Sequence, residues 1–210
     1  MRTIRLILPL LCFVIIFTGF LAREACGQLG IGDPDKFRAF RDREFRDPKT
    51  SPLESWDVPR FKGLHYFKIN RSYKVQADLV RTPNEKKFNM PTSSGVTKVY
   101  VKFGELSFQL QGRHYVLGVY QSEALSQTEK YKDYLLIPFR DLTNGKDTYG
   151  GGRYIDLEIP SSDVIALDFN LAYNPSCAYS SRWNCPIPPK ENNLRTKIMA
   201  GEKSYRKPPH

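Results

Sequence analysis

Residues 98–110, KVYVKFGELSFQL, carry the clearest indication of the fold class. Its apolar residues recur at every second position and change parity once: Val99, Val101 and Phe103, then Leu106, Phe108 and Leu110. A period of two is typical of a strand that buries one face, and a slip of one residue turns the other face inward. The change of parity falls at Gly104, so we predict a β-bulge or a tight turn there.

The same period of two extends outward from this stretch in both directions. Strand patterns occur at five further places: residues 73–79, 115–119, 135–137, 155–159 and 165–169. Turn residues precede two of them, Gln111-Gly112 before residue 115 and Pro-Ser-Ser-Asp at 160–163, where the chain is expected to turn back on itself. About seven short strands at this spacing predict a mainly β fold, either an antiparallel β-sandwich or an open barrel.

One helix is predicted ahead of the strands, from Pro34 to about Arg46. Asp33 can accept hydrogen bonds from the free N–H groups at a helix start, and proline is tolerated at the first helical position. Apolar side chains lie near one stripe of this helix at Phe37, Phe40 and Phe45, and arginines and aspartates surround them. The fold class is therefore mainly β with one N-terminal amphipathic helix.

The composition narrows the class of protein. The 210 residues are 40% hydrophobic, 13% aromatic and 26% charged, which excludes a disordered chain, a collagen-like repeat, a coiled coil and a multi-span membrane protein. Lysine and arginine outnumber aspartate and glutamate by 32 to 22, which gives a net charge of +10. The basic residues are spread along the chain rather than clustered, so no nucleic-acid partner is predicted.

Residues 1–27 have the pattern of a signal peptide or a membrane anchor. Two arginines accompany an apolar run over residues 4–22, and Ala25 and Gly27 supply the small residues of a signal-peptidase site. Cleavage is the leading interpretation, and membrane attachment through a retained anchor or through lipidation of Cys26 are the alternatives. Each places the folded part outside the cytoplasm, so we predict an exported protein that is periplasmic, associated with the cell envelope or secreted.

The rest of the chain is long enough for one hydrophobic core. We predict a single β-rich domain over residues 28–203 and a flexible basic tail over residues 204–210. Cleavage would leave Cys177 and Cys185 as the only cysteines, and two cysteines in an exported chain predict one disulfide between them. None of the three histidines lies near them in sequence, so neither a metal site nor a catalytic cysteine–histidine pair is predicted.

The densest group of polar and aromatic residues runs from Pro138 to Asn193. The chain contains no nucleophile motif, zinc-protease motif, calcium loop or phosphate-binding loop, so no cofactor is predicted. Our leading hypothesis is a non-enzymatic module that binds an unknown small molecule or glycan in a polar-aromatic pocket. Its candidate ligand-binding residues are Thr143, Tyr149, Arg153, Asp168, Asn170, Tyr173 and Asn174.

The competing hypothesis is a hydrolase that acts on an envelope glycan or a small ester. Asp141 and Asp168 are then the candidate acid/base residues, and Arg153 or Asn170 would stabilise developing negative charge. The sequence does not give the separation of the two carboxylates, so both hypotheses stay open at this point.

Five stretches also carry a resemblance to a known family: FRDREFRDPKTSPL (40–53), FKGLHYF (61–67), PFRDLTNGKDTYGGGRYIDL (138–157), DFNLAYNPSCAYSSRWNCPIPPKEN (168–192) and AGEK (200–203). On these stretches the chain resembles an uncharacterised bacterial exported protein family, the domain-of-unknown-function family numbered 1684. The resemblance implies an exported or lipid-anchored single domain, with a shared site or a shared scaffold at its signature positions. Those positions are Asp141, Thr143, Gly145, Thr148, Tyr149, Gly152, Arg153, Asp168, Asn170, Tyr173, Asn174, Cys177, Cys185, Pro186 and Glu191.

Overall fold

The structure, a computed structural model, describes residues 32–205, and within them the mainly β prediction is confirmed. The strands are β1 (Lys74–Arg81), β2 (Phe88–Pro91), β3 (Thr97–Leu110), β4 (Arg113–Ser122), β5 (Tyr134–Phe139), β6 (Arg153–Glu158) and β7 (Val164–Asp168). Two helices accompany them, α1 (Pro34–Arg46) and α2 (Glu123–Ser126). The predicted signal peptide or anchor at residues 1–27 lies outside the described residues. Between residues 32 and 205, no helix has the length and hydrophobicity needed to cross a membrane.

The seven strands form one antiparallel sheet that curls into a half-barrel. The strand order is β6-β5-β4-β3-β1-β7, and β2 pairs with β3 beside this path. A sandwich needs two sheets that face each other, whereas the described strands make one. The sandwich alternative is therefore wrong, and the fold is closer to the open barrel.

Gly112, in the turn after β3, and Gly104, within β3, explain the local geometry of this strand. Gln111 and Gly112 have positive φ values of 52° and 73°, as the two-residue turn between β3 and β4 requires. The predicted irregularity at Gly104 is confirmed as a β-bulge, because the register with β4 shifts between Lys102 and Gly104. A Cβ at Gly104 would lie 2.6 Å from the carbonyl oxygen of Val80 on β1, so a larger residue would push the two strands apart.

The sequence predicts that the chain turns back on itself at residues 160–163. The structure corrects this interpretation, because the strand after the turn, β7, does not pair with β6. β6 pairs with β5 at one edge of the sheet, and β7 pairs with β1 at the opposite edge. The link between Glu158 and Val164 spans at most about 20 Å when fully extended. The two edges therefore lie close together, since the curl of the sheet brings them there.

Two apolar cores lie on opposite faces of the sheet, as β5 shows. Leu135 and Ile137 join the first core, and Leu136 between them joins the second. The first core is covered by the C-terminal segment, which contributes Leu194 and Ile198. The second core contains Met90, Tyr100, Tyr120, Leu136, Tyr154 and Cys185. A third, smaller cluster joins α1 to the loops around it through Phe45, Leu53, Phe61 and Tyr179.

Candidate functional site

Arg153 and Asp141 form a fully buried ion pair at the centre of the predicted polar stretch. Arg153 begins β6 and lies on the same face as Ile155, which belongs to the first core. Its Nη2 donates to Asp141 Oδ2 at 2.7 Å. The other carboxylate oxygen accepts the N–H and the hydroxyl of Thr143. Burial lowers the pKa of Arg153, and the Asp141 charge opposes that shift.

Arg153 also binds the C-terminal segment through its backbone carbonyls. The guanidinium donates to the carbonyl of Ile198 at 2.9 Å, to that of Glu202 at 3.4 Å and to that of Ala200. Hydrogen bonds from a charged donor are stronger than neutral ones, and here three of them reach one segment. The ion pair therefore holds in place the segment that covers the first core.

Asp168, Asn170 and Asn174 are also buried and bonded within the protein. Asp168 Oδ1 accepts the backbone N–H of Asn170 at 2.9 Å and its Nδ2 at 2.7 Å. Asn174 donates its backbone N–H and its Nδ2 to the two carboxylate oxygens of Glu202, at 3.1 and 2.9 Å. The Tyr179 hydroxyl donates to the same carboxylate, and burial raises the pKa of Glu202.

The structure divides the predicted site residues into separate groups. Five of the seven predicted ligand-binding residues expose 5% or less of their surface: Thr143, Arg153, Asp168, Asn170 and Asn174. The acid/base candidates Asp141 and Asp168 are each 5% exposed. Arg153 contacts Asp141, whereas Asp168 contacts Asn170 and Asn174 contacts Glu202. These polar groups face one another and the backbone rather than an open cleft.

Tyr173, the sixth predicted residue, is half-buried, and its hydroxyl is engaged inside the protein. Asp156 Oδ1 accepts both the Tyr173 hydroxyl at 2.6 Å and the Tyr134 hydroxyl at 2.7 Å. Burial raises the pKa of Asp156, and the two hydrogen bonds oppose that shift. The Arg41 guanidinium lies 4.7 Å from the centre of the Tyr173 ring, so the ring also receives a cation–π contact.

Tyr149, the seventh, is positioned by the glycines that follow it. A Cβ at Gly151 would lie 2.4 Å from the Tyr149 ring, so the absence of a side chain there leaves room for the ring. Gly152 has a φ of 96°, and a Cβ there would lie 2.6 Å from the carbonyl oxygen of Phe139. Gly150 has no such neighbour, since its nearest contact would be 3.7 Å away. Gly151 and Gly152 are therefore the two glycines that the shape of this loop, and with it the position of Tyr149, requires.

Cys177 and Cys185 are free thiols, so the predicted disulfide is wrong. The chain does bring the two together, because the N–H of Cys177 donates to Cys185 Sγ at 3.1 Å. The Tyr149 hydroxyl oxygen lies 3.6 Å from Cys177 Sγ. The two sulfurs therefore take part in a hydrogen-bonded group instead of a covalent bond. Cys185 is buried, whereas Cys177 is half-buried.

The hydrogen bond from the Cys185 thiol lowers the pKa of Cys177 to about 6. Burial opposes this shift, and the hydroxyls of Tyr149 and Ser93 support it. The same thiol–thiol hydrogen bond, together with burial, raises the pKa of Cys185. A lowered pKa increases the fraction of Cys177 present as thiolate, the nucleophilic form of cysteine. Across residues 32–205, no three or more histidine, cysteine, aspartate or glutamate side chains are grouped so that they could hold a metal ion.

A cavity of about 510 Å³ opens between the start of β3 and helix α2. It is lined by Lys98, Val99, Tyr100, Ser122, Glu123, Ala124, Leu125 and Gln127, and its walls are mainly apolar. Tyr100 and Ser122 are cross-strand partners on β3 and β4. Burial raises the pKa of Tyr100 to about 12, so its hydroxyl stays protonated. The volume falls within the range of small-molecule sites.

Sequence reasoning missed this cavity and two buried anchors, Asn192 and Glu202. Ser122 was an available signal for α2, because serine followed by helix-forming residues marks a helix start. Its hydroxyl accepts the N–H of Leu125 at 3.4 Å. Nothing in the residue types of Asn192 and Glu202 distinguishes a buried anchor from an exposed polar side chain.

The sequence and the fold of this chain are both similar to those of known proteins. A family model described as "Protein of unknown function (DUF1684)" matches residues 59–203. The solution NMR structure of an uncharacterized protein from Haloarcula marismortui matches with a TM-score of 0.62 and 37% sequence identity. That match covers 79% of this chain and 89% of the other. No curated protein matches the sequence.

Proposed function

The chain belongs to the DUF1684 family of proteins of unknown function, and we propose that it is an exported, non-enzymatic module that binds a small molecule in the cavity beside Tyr100. The observation that carries the proposal is the cavity itself. Its lining is mainly apolar and includes a few polar side chains, which is the usual composition of a ligand site.

The lining favours a largely apolar ligand with one hydrogen-bonding group. Val99 and Leu125 supply apolar contacts, and the hydroxyl of Ser122 supplies a polar one. The two charged side chains already have partners: Lys98 Nζ donates to the carbonyl of Asn184 at 2.8 Å, and Glu123 pairs with a lysine at 2.6 Å. A compact molecule with a ring therefore fits these walls better than a glycan, which needs many polar contacts.

The buried network supports binding over hydrolysis. A general acid or base has to come within hydrogen-bond distance of the substrate. Both oxygens of Asp141 are engaged, one by Arg153 and the other by Thr143, and Asp168 is 5% exposed. The acid/base roles of Asp141 and Asp168 stay predictions from the sequence that these contacts do not favour.

Export is the second part of the proposal, and residues 1–27 carry it. N-terminal sequencing of the protein purified from its producing cells should find Gln28 at the start, in the fraction outside the cytoplasmic membrane. A chain that retains the apolar run and sediments with membranes would support the anchor alternative. A chain that begins at Met1 in the cytosol would contradict export.

The ligand site can be located by two-dimensional NMR. We expect a panel of neutral one- and two-ring aromatic fragments to shift the amide signals of residues 98–100 and 122–127. Amides around Asp141, Arg153 and Asp168 should stay unchanged, because those side chains are closed to solvent. Shifts confined to the Asp141 region would contradict the proposed site and would instead support the polar-aromatic pocket predicted from the sequence.

A further inference from the structure

Both tryptophans of the chain lie on the protein surface. Trp56 exposes 56% of its surface and Trp183 exposes 38%, and the sequence contains no other tryptophan. Tryptophan is highly buried on average in globular proteins. Large apolar side chains that face solvent together mark surfaces at which a protein binds a partner or a membrane.

The loop that carries Trp183 is bonded to residues 51–53. Trp183 Nε1 donates to the Pro52 carbonyl at 2.8 Å. The Arg182 guanidinium donates to the carbonyls of Ser51 and Leu53 at 2.9 and 2.8 Å. The one polar group of the Trp183 ring is therefore satisfied within the protein, so a partner gains only apolar contact from this side chain.

Trp56 lies on the same surface, in the turn that follows. The N–H of Asp57 closes this turn on the Glu54 carbonyl at 2.9 Å, and such a turn keeps its end Cα atoms within about 7 Å of each other. The Ser180 hydroxyl donates to the Glu54 carboxylate, which joins the turn to the loop of Trp183. The two indoles thus belong to one tryptophan surface, which consists of residues 51–57 and 180–183.

The exposed charges on and beside the tryptophan surface are mainly positive. Within residues 47–62 and 180–184, four exposed basic side chains accompany one exposed acidic one: Lys49, Arg60, Lys62 and Arg182 against Asp47. Of the two other acids there, Glu54 accepts the Ser180 hydroxyl and Asp57 is 1% exposed.

Further positive charge follows in the sequence where the described chain ends. The Tyr205 ring packs 5.2 Å from the ring of Tyr179, which directly precedes the tryptophan surface. The sequence continues from Tyr205 as RKPPH (206–210), which adds one arginine and one lysine. The charge in this part of the molecule is therefore complementary to an anionic partner.

We propose that the tryptophan surface binds anionic phospholipid bilayers, with both indoles in the headgroup region and the basic side chains near the lipid phosphates. Indoles favour the membrane–water interface, and anionic lipids attract lysine and arginine. Because Arg182, Glu54 and the Trp183 N–H are engaged internally, few groups remain for the directed hydrogen bonds of a protein interface. A bilayer is bound through apolar burial and charge instead. The proposal depends neither on the ligand cavity nor on export.

Tryptophan fluorescence of the full wild-type chain reports on this surface alone. The probes are vesicles of phosphatidylcholine with brominated acyl chains, prepared with and without phosphatidylglycerol. On the anionic vesicles we expect emission at shorter wavelength and a loss of about half of it or more, since interfacial side chains reach about 5–10 Å into the headgroup and acyl boundary. Unchanged emission, or equal quenching on the neutral vesicles, would overturn the proposal.

A relocated tryptophan tests which face meets the bilayer. Val116→Trp is introduced together with Trp56→Phe and Trp183→Phe, and the N-terminal segment is kept in every form. Val116 is 39% exposed and pairs with Ser107, which is nine residues, or roughly 30 Å along β3, from Lys98. Lys98 contacts the residue after Trp183. We expect this variant to keep its emission on anionic vesicles, and quenching equal to that of the wild type would contradict the proposal.

One charge removed at two places separates the surface from net charge. Arg60→Gln should lower the ratio of bound to unbound protein on anionic vesicles about fivefold, because one basic side chain near an anionic surface contributes about that factor. Arg113→Gln makes the same charge change at the hairpin between β3 and β4 and should leave the ratio in place. Equal losses would contradict the proposed surface.

The wild-type chain alone decides the question if a variant fails to fold, as judged by its thermal unfolding. Its emission is then measured with polyglutamate as well as with the two kinds of vesicle. A response to polyglutamate without a response to anionic vesicles would identify an acidic protein as the partner and would overturn the proposal. Quenching on the anionic vesicles alone would support it.

Discussion

The side-chain amide of Asn192 forms hydrogen bonds with both backbone groups of Gly118: the Gly118 N–H donates to Oδ1 at 2.6 Å, and Nδ2 donates to the Gly118 carbonyl at 2.8 Å. The same Nδ2 donates to the Pro138 carbonyl at 2.7 Å. Gly118 lies on β4 and Pro138 on β5, two strands that share one paired position, Tyr120 with Leu136. One buried side chain thus completes the hydrogen bonding between two strands.

Asn192→Asp should lower the free energy of unfolding by about 3 kcal/mol, because a buried carboxylate would face two backbone carbonyls without a proton to donate. Urea unfolding measures the change. The neighbouring exposed Asn193→Asp is the control and should stay within about 0.5 kcal/mol of the wild type. Equal effects of the two substitutions would show that Asn192 does not bridge the strands.

Arg153→Met should lower the free energy of unfolding by about 3–5 kcal/mol, since it leaves the buried charge of Asp141 without its partner. The backbone carbonyls of the C-terminal segment also lose their donor. Arg140→Met, at an exposed position in the same stretch, should change stability by less than about 0.5 kcal/mol. A loss below about 1 kcal/mol for Arg153→Met would mean that the ion pair does not hold that segment.

Gly152→Ala should destabilise the protein by about 1–3 kcal/mol, because the residue has positive φ and its new Cβ would meet the carbonyl oxygen of Phe139. Gly150→Ala, two positions earlier, introduces no close contact and should cost less than about 0.5 kcal/mol. Thermal unfolding of the two variants side by side measures the difference. Similar melting temperatures would contradict the assignment of Gly152 as the constrained position.

Asp156→Asn should change how stability depends on pH. Burial raises the pKa of Asp156, so this carboxyl group contributes most to stability below its unfolded pKa of about 3.9, and the contribution is lost as the pH rises through its folded pKa. Asparagine cannot ionise, and its Oδ1 can still accept both tyrosine hydroxyls. Relative to the wild type, the variant should therefore gain stability between pH 4 and pH 7 in urea unfolding. A constant difference across that range would show that Asp156 does not titrate in this way.

Tyr149→Phe should raise the pKa of Cys177 above about 6, because it removes one hydrogen-bond donor from the thiolate. The loss of one hydrogen bond to a charged group corresponds to a rise of about one pH unit. The midpoint of the pH profile of iodoacetamide alkylation at Cys177, followed by peptide mass spectrometry, measures the shift. Tyr131→Phe, at a tyrosine outside this group of side chains, is the control and should leave the midpoint in place.

The strands could be predicted from the sequence because each buries one face and so leaves a period of two. The same reasoning located the bulge at Gly104, since the change of parity is the direct trace of one inserted residue. Strand partners could not be predicted in this way. The turn at residues 160–163 marks a reversal, but the curl of the sheet decides that β7 joins β1 instead of β6.

The candidate site was harder to predict than the sheet. Aspartate, asparagine and arginine serve a buried network as well as an open pocket, so residue types alone did not place Asp141 and Arg153 inside. The spacing of Cys177 and Cys185 indicated proximity, which the structure bears out, but proximity does not determine the oxidation state of the sulfurs. The cavity is lined by residues 98–100, 122–125 and 127, and no local sequence pattern reveals that these segments of β3, β4 and α2 lie together.

The cavity beside Tyr100 is tested as a ligand site by the affinity of one aromatic fragment for the wild type and for two tryptophan variants, measured by NMR titration. Ala124→Trp fills the cavity from its exposed rim, and Ala166→Trp places the same side chain on the exposed face of β7, away from it. We expect at least a tenfold loss of affinity for Ala124→Trp and none for Ala166→Trp. Equal affinity of all three proteins would contradict the assignment of the cavity as the ligand site.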